Sequence, residues 1–566
     1  MLALPSAAHQ TRPPCFAAPP WDRHHPDWLR LDQQLPRDDD ARLIDQLVDQ
    51  FDLTPLYQRY AGHGSAALAA DLLLKVALYH FSQNQPSPKH WAQQCRRDGP
   101  TQWLALGLRP SVAACYRFRH KVGPGLLDHF NRQVLRLARD QGQLLGQRAA
   151  ADGTLVAALG SRHALLGTKA LQTRLQLLRA ACAADRAATQ LPRHWLALAL
   201  LIVWQVVGPE PLQRRPRWLA QTARGRQRQT RRYRAAWRHL QRLGAEHQQK
   251  QTRQRKAKRR SAEGLKVCPR EHQAVLGRDK LKVFRPLYNV QFVCDLDSPF
   301  VLGYGTYAAA SDAGLLPKAL GRTRHLAGRL PQQLVMDGIY ATALDLKYCQ
   351  ARKVQTYAPE RAPASAPASP VSAAAAAAPA SGALPPAAAG EVVAAGPKRS
   401  SSAQQLGKGA FTWLASEQAY RCPAGKWLRL YRRGTEKRRQ GQEVEVAQYR
   451  CPAEHCLACP LASACTKSPH KGRTIKRMAE EALVEQLRAR MATASGQALY
   501  RLRKQTVELG FADSKCRRGL ERMRGFGQRL AQSQTGWSVL AHNGLALMRG
   551  SQNRAAKAPP TYLWAG

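Results

Sequence analysis

The sequence predicts an α/β domain preceded by an all-helical one. Three observations carry this. Apolar residues recur at helical spacing through roughly residues 38–130. Strand-like apolar runs then alternate with helical ones as far as about residue 358. Helical character returns near residue 480, beyond a segment of short strands and turns.

Residues 1–34 are rich in Pro, His and Ala and are expected to be a disordered tail. From residue 38, three acidic residues precede an amphipathic helix, where they suit its positive end. A second helix is expected from Ser65 or the Gly before it. A third is expected after Ser87, bounded by Pro86 and Pro88. Pro110 and Ser111 open a short helix presenting Tyr116, Arg117, Arg119 and Lys121. Short helices ending in a basic one fit a helix-turn-helix module, so residues 35–130 are expected to bind DNA.

An amphipathic helix then leads into a buried strand containing Asp152. Residues 165–260 read as helical and basic. Between Pro211 and Arg260 there are 18 Lys or Arg and one acidic residue, Glu246. Trp218, Tyr233 and Trp237 predict packing over part of that stretch. Residues 283–295 and 300–307 read as a pair of strands, followed by a helix. A strand ending at Asp337, a sharp turn at Gly338, a helix and a short strand complete residues 131–358. Residues 359–406 are Ala/Pro-rich and are expected to be a disordered loop insert. Residues 407–480 read as a β-rich, Cys-containing insertion, 481–550 as helical, and 551–566 as a tail.

The formal net charge of +49 implies long-range attraction to a polyanion, with DNA or RNA foremost. Thirteen cysteines in 566 residues do not make a secreted disulfide scaffold. No signal peptide is read at the start. The most apolar run, Trp195 to Val207, is too short to span a bilayer and reads as a buried helix. No membrane partner is expected, and the protein is expected in the cytoplasm, associated with the nucleoid.

Two strand-end aspartates are unusual in so basic a chain. Asp152 follows three alanines, and Asp337 follows Leu334, Val335 and Met336. A buried carboxylate needs a cation or another partner. Two side by side would suit Mg²⁺ or Mn²⁺. A two-ion site of this kind serves phosphoryl transfer. Glu508, on a later helix, could complete such a site, with Arg503, Lys504, Lys515, Arg517 and Arg518 holding phosphates nearby. The plainer alternative is that both aspartates cap turns.

These motifs resemble those of bacterial insertion-sequence transposases of the IS1182 group, within the IS4-like DDE class. The resemblance covers roughly residues 35–358 and 407–550. Asp152-Gly153-Thr154 resembles the first aspartate motif, and Tyr288-Asn289-Val290-Gln291 a following strand. Asp337-Gly338-Ile339-Tyr340 resembles the second motif, with its Gly displaced by one. Tyr500, Arg503, Glu508 and Lys515 resemble the Tyr-Arg-Glu-Lys signature, one residue long between Arg and Glu. Ala512 stands where Gly is usual, and Gly544 where Leu is common.

The resemblance implies an RNase H-like catalytic core interrupted by a β-rich insertion. It implies cleavage at the element's terminal inverted repeats, then attack of the freed 3′-hydroxyl on target DNA. Asp152, Asp337 and Glu508 would hold two Mg²⁺ or Mn²⁺ ions. Tyr500, Arg503 and Lys515 would position phosphates, and a homodimer would pair the ends. A catalytically inactive DNA-binding remnant and a metal-dependent nuclease remain as rivals, ahead of an RNA-binding protein.

Cys422, Cys451, Cys456, Cys459 and Cys465 lie within 44 residues, with a Cys-x-x-Cys pair at 456 and 459. Thiolates so spaced could hold structural Zn²⁺, with His455 and His470 in reserve. The alternative is a set of buried small thiols.

Overall fold

A computed structural model describes residues 15–60, 65–190, 216–252, 264–279, 281–359, 406–437 and 443–557. The apolar run 195–207 and nearly all of the Ala/Pro-rich insert lie outside these residues. The chain divides into two compact units. The first comprises residues 1–340, 348–358 and 493–566, and the second comprises 341–347 and 359–492.

The first unit opens with eight helices: α1 (Pro26–Gln34), α2 (Asp40–Asp49), α3 (Thr54–Tyr57), α4 (Ala70–Ser82), α5 (Pro88–Gln94), α6 (Gly99–Leu104), α7 (Val112–Lys121) and α8 (Pro124–Asp140). Helix α1 lies in the segment expected as a tail. It is held because Trp28 is buried and stacks on Trp103, ring centroids 5.5 Å apart. Asp39 caps α2 by accepting the Ala41 N–H, and Ser111 caps α7 by accepting that of Ala114. Ser65 caps nothing: α4 begins at Ala70 with no side-chain cap. Ser87 occupies the cap position of α5 without a side-chain bond, and Pro88 sets the first turn.

A mixed sheet follows. It contains β1 (Arg148–Ala157), β2 (Val275–Arg278), β3 (Phe284–Asp295), β4 (Val301–Tyr307), β5 (Gln333–Met336) and β6 (Gln355–Tyr357). Its order is β2-β3-β1-β5-β6, with β4 also paired to β3. Strand β3 runs antiparallel to β1, β2 and β4, while β5 runs parallel to β1 and β6 parallel to β5. Among the described residues, two α-helices stand between β1 and β2, α9 (Thr168–Gln190) and α10 (Ala223–Thr252). They pack through Leu171, Leu175 and Leu178 against Tyr233, Ala236 and Leu240, with Trp218 and Trp237 at the margin. Helix α11 (Leu316–Ala327) joins β4 to β5 and lies against β4.

The chain returns to this unit through α12 (Ala494–Arg503), a single π-helical turn (Lys504–Glu508), α13 (Leu509–Arg517) and α14 (Gln528–Lys557). Helix α14 packs against α8, α4 and α2, so the last helix builds on the first ones. Trp537 stacks on Phe81 at 5.5 Å. Gly544 has a packing reason, because a side chain there would run into Leu47.

The second unit contains a five-stranded antiparallel sheet, β7 (Thr412–Leu414), β8 (Ala419–Arg421), β9 (Trp427–Lys437), β10 (Glu443–Arg450) and β11 (Thr474–Met478). Its core gathers Phe411, Tyr420, Leu428, Tyr449 and Ile475. Among the described residues, no helix of either unit is long and apolar enough to cross a membrane.

Gly303 of β4 faces α11 so closely that a Cβ would sit 2.8 Å from the Thr323 Cα and 2.9 Å from its backbone nitrogen. Backbone cannot yield as a side chain can. Gly303→Ala is therefore expected to cost about 1–3 kcal/mol, the range for overpacking. Urea denaturation measures it, and an unchanged midpoint would show that α11 does not press on the sheet.

Candidate active site

Parallel pairing brings the two aspartates together. Ala151 of β1 pairs with Met336 of β5, so Asp152 and Asp337 are the next residues along neighbouring strands. In a parallel ladder, paired positions point to the same face. Ala149, Ala150 and Ala151, which precede Asp152 on β1, are buried. Asp337 lies just past the end of β5 and is exposed, whereas the Asp152 side chain is 16% exposed.

Burial pushes the Asp152 carboxyl above its ordinary range. The Arg503 charge and the Gly153 N–H pull it down, while the charges of Asp312 and Asp337 add to the rise. The Arg503 guanidinium lies 2.7 Å from Asp152 and 3.7 Å from Glu508. Burial works against that guanidinium, yet Asp152, Tyr500, Asp337 and Glu508 hold its pKa above the usual range. One cation thus stands among the carboxylates.

The π-turn explains the extra residue between Arg503 and Glu508. An α-helix stacks residues three or four apart, whereas a π-turn bonds residues five apart. Arg503 and Glu508 are five apart, and the turn leaves their side chains within reach of each other. The inserted residue is absorbed without turning Glu508 away. The Lys504 side chain, at the α-helical distance, is exposed. Burial raises the Tyr500 hydroxyl above its ordinary range, and the Arg503 charge opposes the rise. The Lys515 ammonium donates to the Thr154 hydroxyl at 2.6 Å, two residues along β1 from Asp152. Phe511 stacks on Phe292 of β3 at 4.4 Å, fixing α13 to the sheet.

One neighbour of the site, Asp312, was not anticipated from the sequence. Asp312 accepts from Asn289 at 2.8 Å and Gln291 at 2.7 Å. Tyr340 is buried and donates to Gln291 at 2.6 Å. Gly153 must lack a side chain, because Asp312 and Gln291 fill that space. Asp312 sits between Ser311 and Gly314, a setting that reads as an ordinary turn. Its one sequence signal is the rarity of acidic residues in this chain. Among the described residues, no three His, Cys, Asp or Glu side chains are grouped closely enough to hold a metal ion.

The residues expected on DNA are dispersed. Tyr116 and Arg117 of α7 are exposed. Arg119 is half-buried over the Tyr116 ring and donates to the Arg524 carbonyl at 3.4 Å. Lys121 sits over Tyr60, 3.4 Å from the ring centroid. Arg517 is exposed, but Arg518 is not a phosphate ligand as placed. It is buried, pairs with Asp513 at 3.0 Å and donates to the Ser82 carbonyl.

The five cysteines of the second unit converge. Cys451 and Cys456 belong to its core, with Cys422 and Cys465 packed against it. Burial pushes the Cys451 thiol up to about 12, and the hydrogen bond and charge of Cys456 act the same way, as do Cys422 and Cys459. Burial raises Cys465 too; Arg473 opposes this, and Cys456, Cys422 and Cys459 add to it.

Residues 421–547 match the family described as Transposase DDE domain. The chain carries a DDE-transposase family domain. Residues 29–121, covering most of α1 through α7, match a second family, Transposase domain (DUF772). The DDE match includes Glu508, Lys515 and all five clustered cysteines, and stops short of both aspartates. A comparison with curated proteins finds no match.

Asp513 links this machinery to the helical region. It accepts from His542 at 2.7 Å as well as from Arg518. Burial opposes its charge, but His542 and Arg518 hold the carboxyl at about 2. A carboxyl so depressed contributes stability above its unfolded value, and that contribution is lost as pH falls through the folded one. Asp513→Asn is expected to cost roughly 1–3 kcal/mol at neutral pH, the range for removing a charged hydrogen-bond partner. The deficit should shrink between about pH 4 and pH 2. Chemical denaturation against pH measures this, and a deficit constant with pH would refute it.

Proposed function

We propose that this protein is an IS1182-type transposase that cuts DNA at insertion-sequence ends and joins the freed 3′-hydroxyl to target DNA. The transposase-family domains support a role in DNA transposition generally. The observation that carries the finer reading is the strand register that sets Asp152 beside Asp337, with Glu508 reaching the same Arg503 guanidinium. The strand order supports an RNase H-like core: three antiparallel strands (β1, β3, β4), then β5 and β6 parallel to β1, then the helix carrying Glu508.

The donor set fits hard divalent cations. Three carboxylates supply oxygen ligands, and a guanidinium already marks the place where positive charge is needed. Two Mg²⁺ or Mn²⁺ ions held by Asp152, Asp337 and Glu508 would activate the attacking oxygen and stabilise the leaving one. Water attacks the phosphorus at the element end, and the P–O3′ bond breaks. The proton passes to the departing 3′-oxygen. That 3′-hydroxyl then attacks a target phosphorus and displaces a target 3′-oxygen, which takes up the proton the attacking hydroxyl loses. Lys515 and Tyr500 hold phosphate oxygens, and Arg503 turns from carboxylate to phosphate. Two copies bring two ends together, in the cytoplasm at the nucleoid.

Cleavage and strand transfer on DNA carrying the element's terminal sequences test this. Asp152→Asn and Asp337→Asn are each expected to abolish both products in Mg²⁺ or Mn²⁺ while end binding persists. Cutting without joining would favour a nuclease. Binding without cutting by the unaltered chain would mark an inactive remnant.

The basic helix α10 supplies a phosphate-tracking face. Arg224, Arg228, Arg231, Arg238 and Arg242 are exposed at spacings of four, three, seven and four residues, so they share one side. The stripe spans about 27 Å at 1.5 Å per residue. Partial burial and the like charges of Arg270 and Arg228 lower the pKa of Arg232, a sign of crowded positive charge. Replacing Arg228, Arg231 and Arg238 together by Gln is expected to weaken binding to all DNA sequences. The slope of log K against log salt should fall by about 2–3, at ~0.9 per phosphate. An unchanged slope would remove α10 from the interface.

A further inference from the structure

We infer that Tyr340, Gln291 and Asp312 form a buried hydrogen-bonded bridge that spans β1 and sets Asp337 in place beside Asp152. The consequence for catalysis rests on the proposed reaction, whereas the bridge itself does not.

Backbone pairing alone leaves the two aspartates unsecured. The ladder between β1 and β5 ends at Ala151 and Met336, one residue short of both. Strand β1 lies between β3 and β5. Asp337 and Tyr340 follow β5, and Gln291 belongs to β3. A contact between Tyr340 and Gln291 must therefore cross β1. It crosses at Gly153, which pairs with Gln291 and directly follows Asp152. A Cβ on Gly153 would collide with both Gln291 Nε2 and Asp312 Oδ1. The missing side chain is the gap that the bridge occupies.

Tyr340 holds the bridge at the Asp337 end. The short turn Gly338–Tyr340 follows Asp337 at once. The Tyr340 N–H donates to the Asp337 carbonyl at 3.0 Å. Its hydroxyl donates to Gln291 Oε1 at 2.6 Å. One residue thus grips Asp337 through the backbone and β3 through its hydroxyl.

Asp312 sets the direction of the hydrogen bonds. A carboxylate only accepts them. Asp312 Oδ1 accepts from Asn289 Nδ2 at 2.8 Å and from Gln291 Nε2 at 2.7 Å. Gln291 Nε2 also donates to Asn289 Oδ1 at 2.6 Å. With its nitrogen committed there, Gln291 turns its oxygen to Tyr340. Asn289 and Gln291 are each 1% exposed, and Tyr340 is 0% exposed. Groups so buried cannot exchange a lost partner for bulk water, so losing one member loosens the rest. Asp312 is therefore a positioning residue, and it acts through an oxygen acceptor rather than through its charge.

The test uses the full chain and hydrogen exchange read by mass spectrometry. In Asp312→Ala and in Tyr340→Phe, the peptide carrying Asp337 to Tyr340 should exchange roughly tenfold faster, while α14 keeps its protection. Asp312→Asn retains an oxygen acceptor and should restore most of that protection. Tyr340→Phe keeps the ring, so it decides the matter where the alanine variant misfolds. On DNA carrying the element ends, single-turnover cleavage by the alanine and phenylalanine variants should fall about ten- to a hundredfold with end binding unchanged. Asp312→Asn should recover most of that loss. Unchanged protection in both Asp312→Ala and Tyr340→Phe overturns the inference. So does cleavage lost as fully in Asp312→Asn as in Asp312→Ala, which would assign the role to charge. If the unaltered chain cuts no DNA, the proposed reaction fails, and the exchange rates still decide the bridge.

Discussion

Two carboxylates held side by side in a half-buried place repel unless a proton or a cation lies between them. Asp152 and Asp337 are forced together by parallel strand pairing, and Asp312 adds a third carboxylate whose charge is felt at Asp152. Arg503 answers that repulsion. It arrives on a helix separated from β1 by more than 300 residues of sequence, so the carboxylate pair and the returning helix stabilise each other's position. An element that must supply this cation cannot be placed freely along the sheet.

The helix that carries Arg503 and Glu508 is accordingly fixed at several points. Phe511 stacks on β3, Lys515 bonds to Thr154 of β1, and Asp513 is held by His542 and Arg518. Through Arg518 and the Ser82 carbonyl this hold extends to α4 in the helical region. The first unit therefore couples its amino-terminal helices, its sheet and its last helices through polar contacts at the edge of the site. The π-turn belongs to the same logic. A single-turn widening stabilises little by itself, but here it leaves Glu508 within 3.7 Å of the Arg503 guanidinium that pairs with Asp152 of the sheet.

Local signals in the sequence were reliable where they rested on strand or helix periodicity. The strand containing Asp152, the pair at 283–295 and 300–307, and the helices around Ser111 and after residue 528 were all legible, because each buries one face. Caps were read less well. Ser65 and Ser87 have the right chemistry, but α4 is buried on nearly every side and begins where packing starts, and Pro88 sets the first turn of α5. Helix α1 was hidden because its composition is polar and its stability comes from Trp28 meeting Trp103, 75 residues away. Arg518 looked like a phosphate ligand because its neighbours are basic. Its partners, Asp513 and Ser82, became visible only in three dimensions.

The sequence by itself determined most of the strands and helices, the excess of positive charge, the aspartates in and just after two apolar strands, and the spacing of the clustered cysteines. Each follows from residue type and short-range pattern. Only the tertiary structure decided which of them meet. The register of β1 against β5, the part of Asp312 and the five-residue reach from Arg503 to Glu508 depend on contacts between distant segments. Side-chain periodicity states which face of an element is buried, but not which other segment buries it.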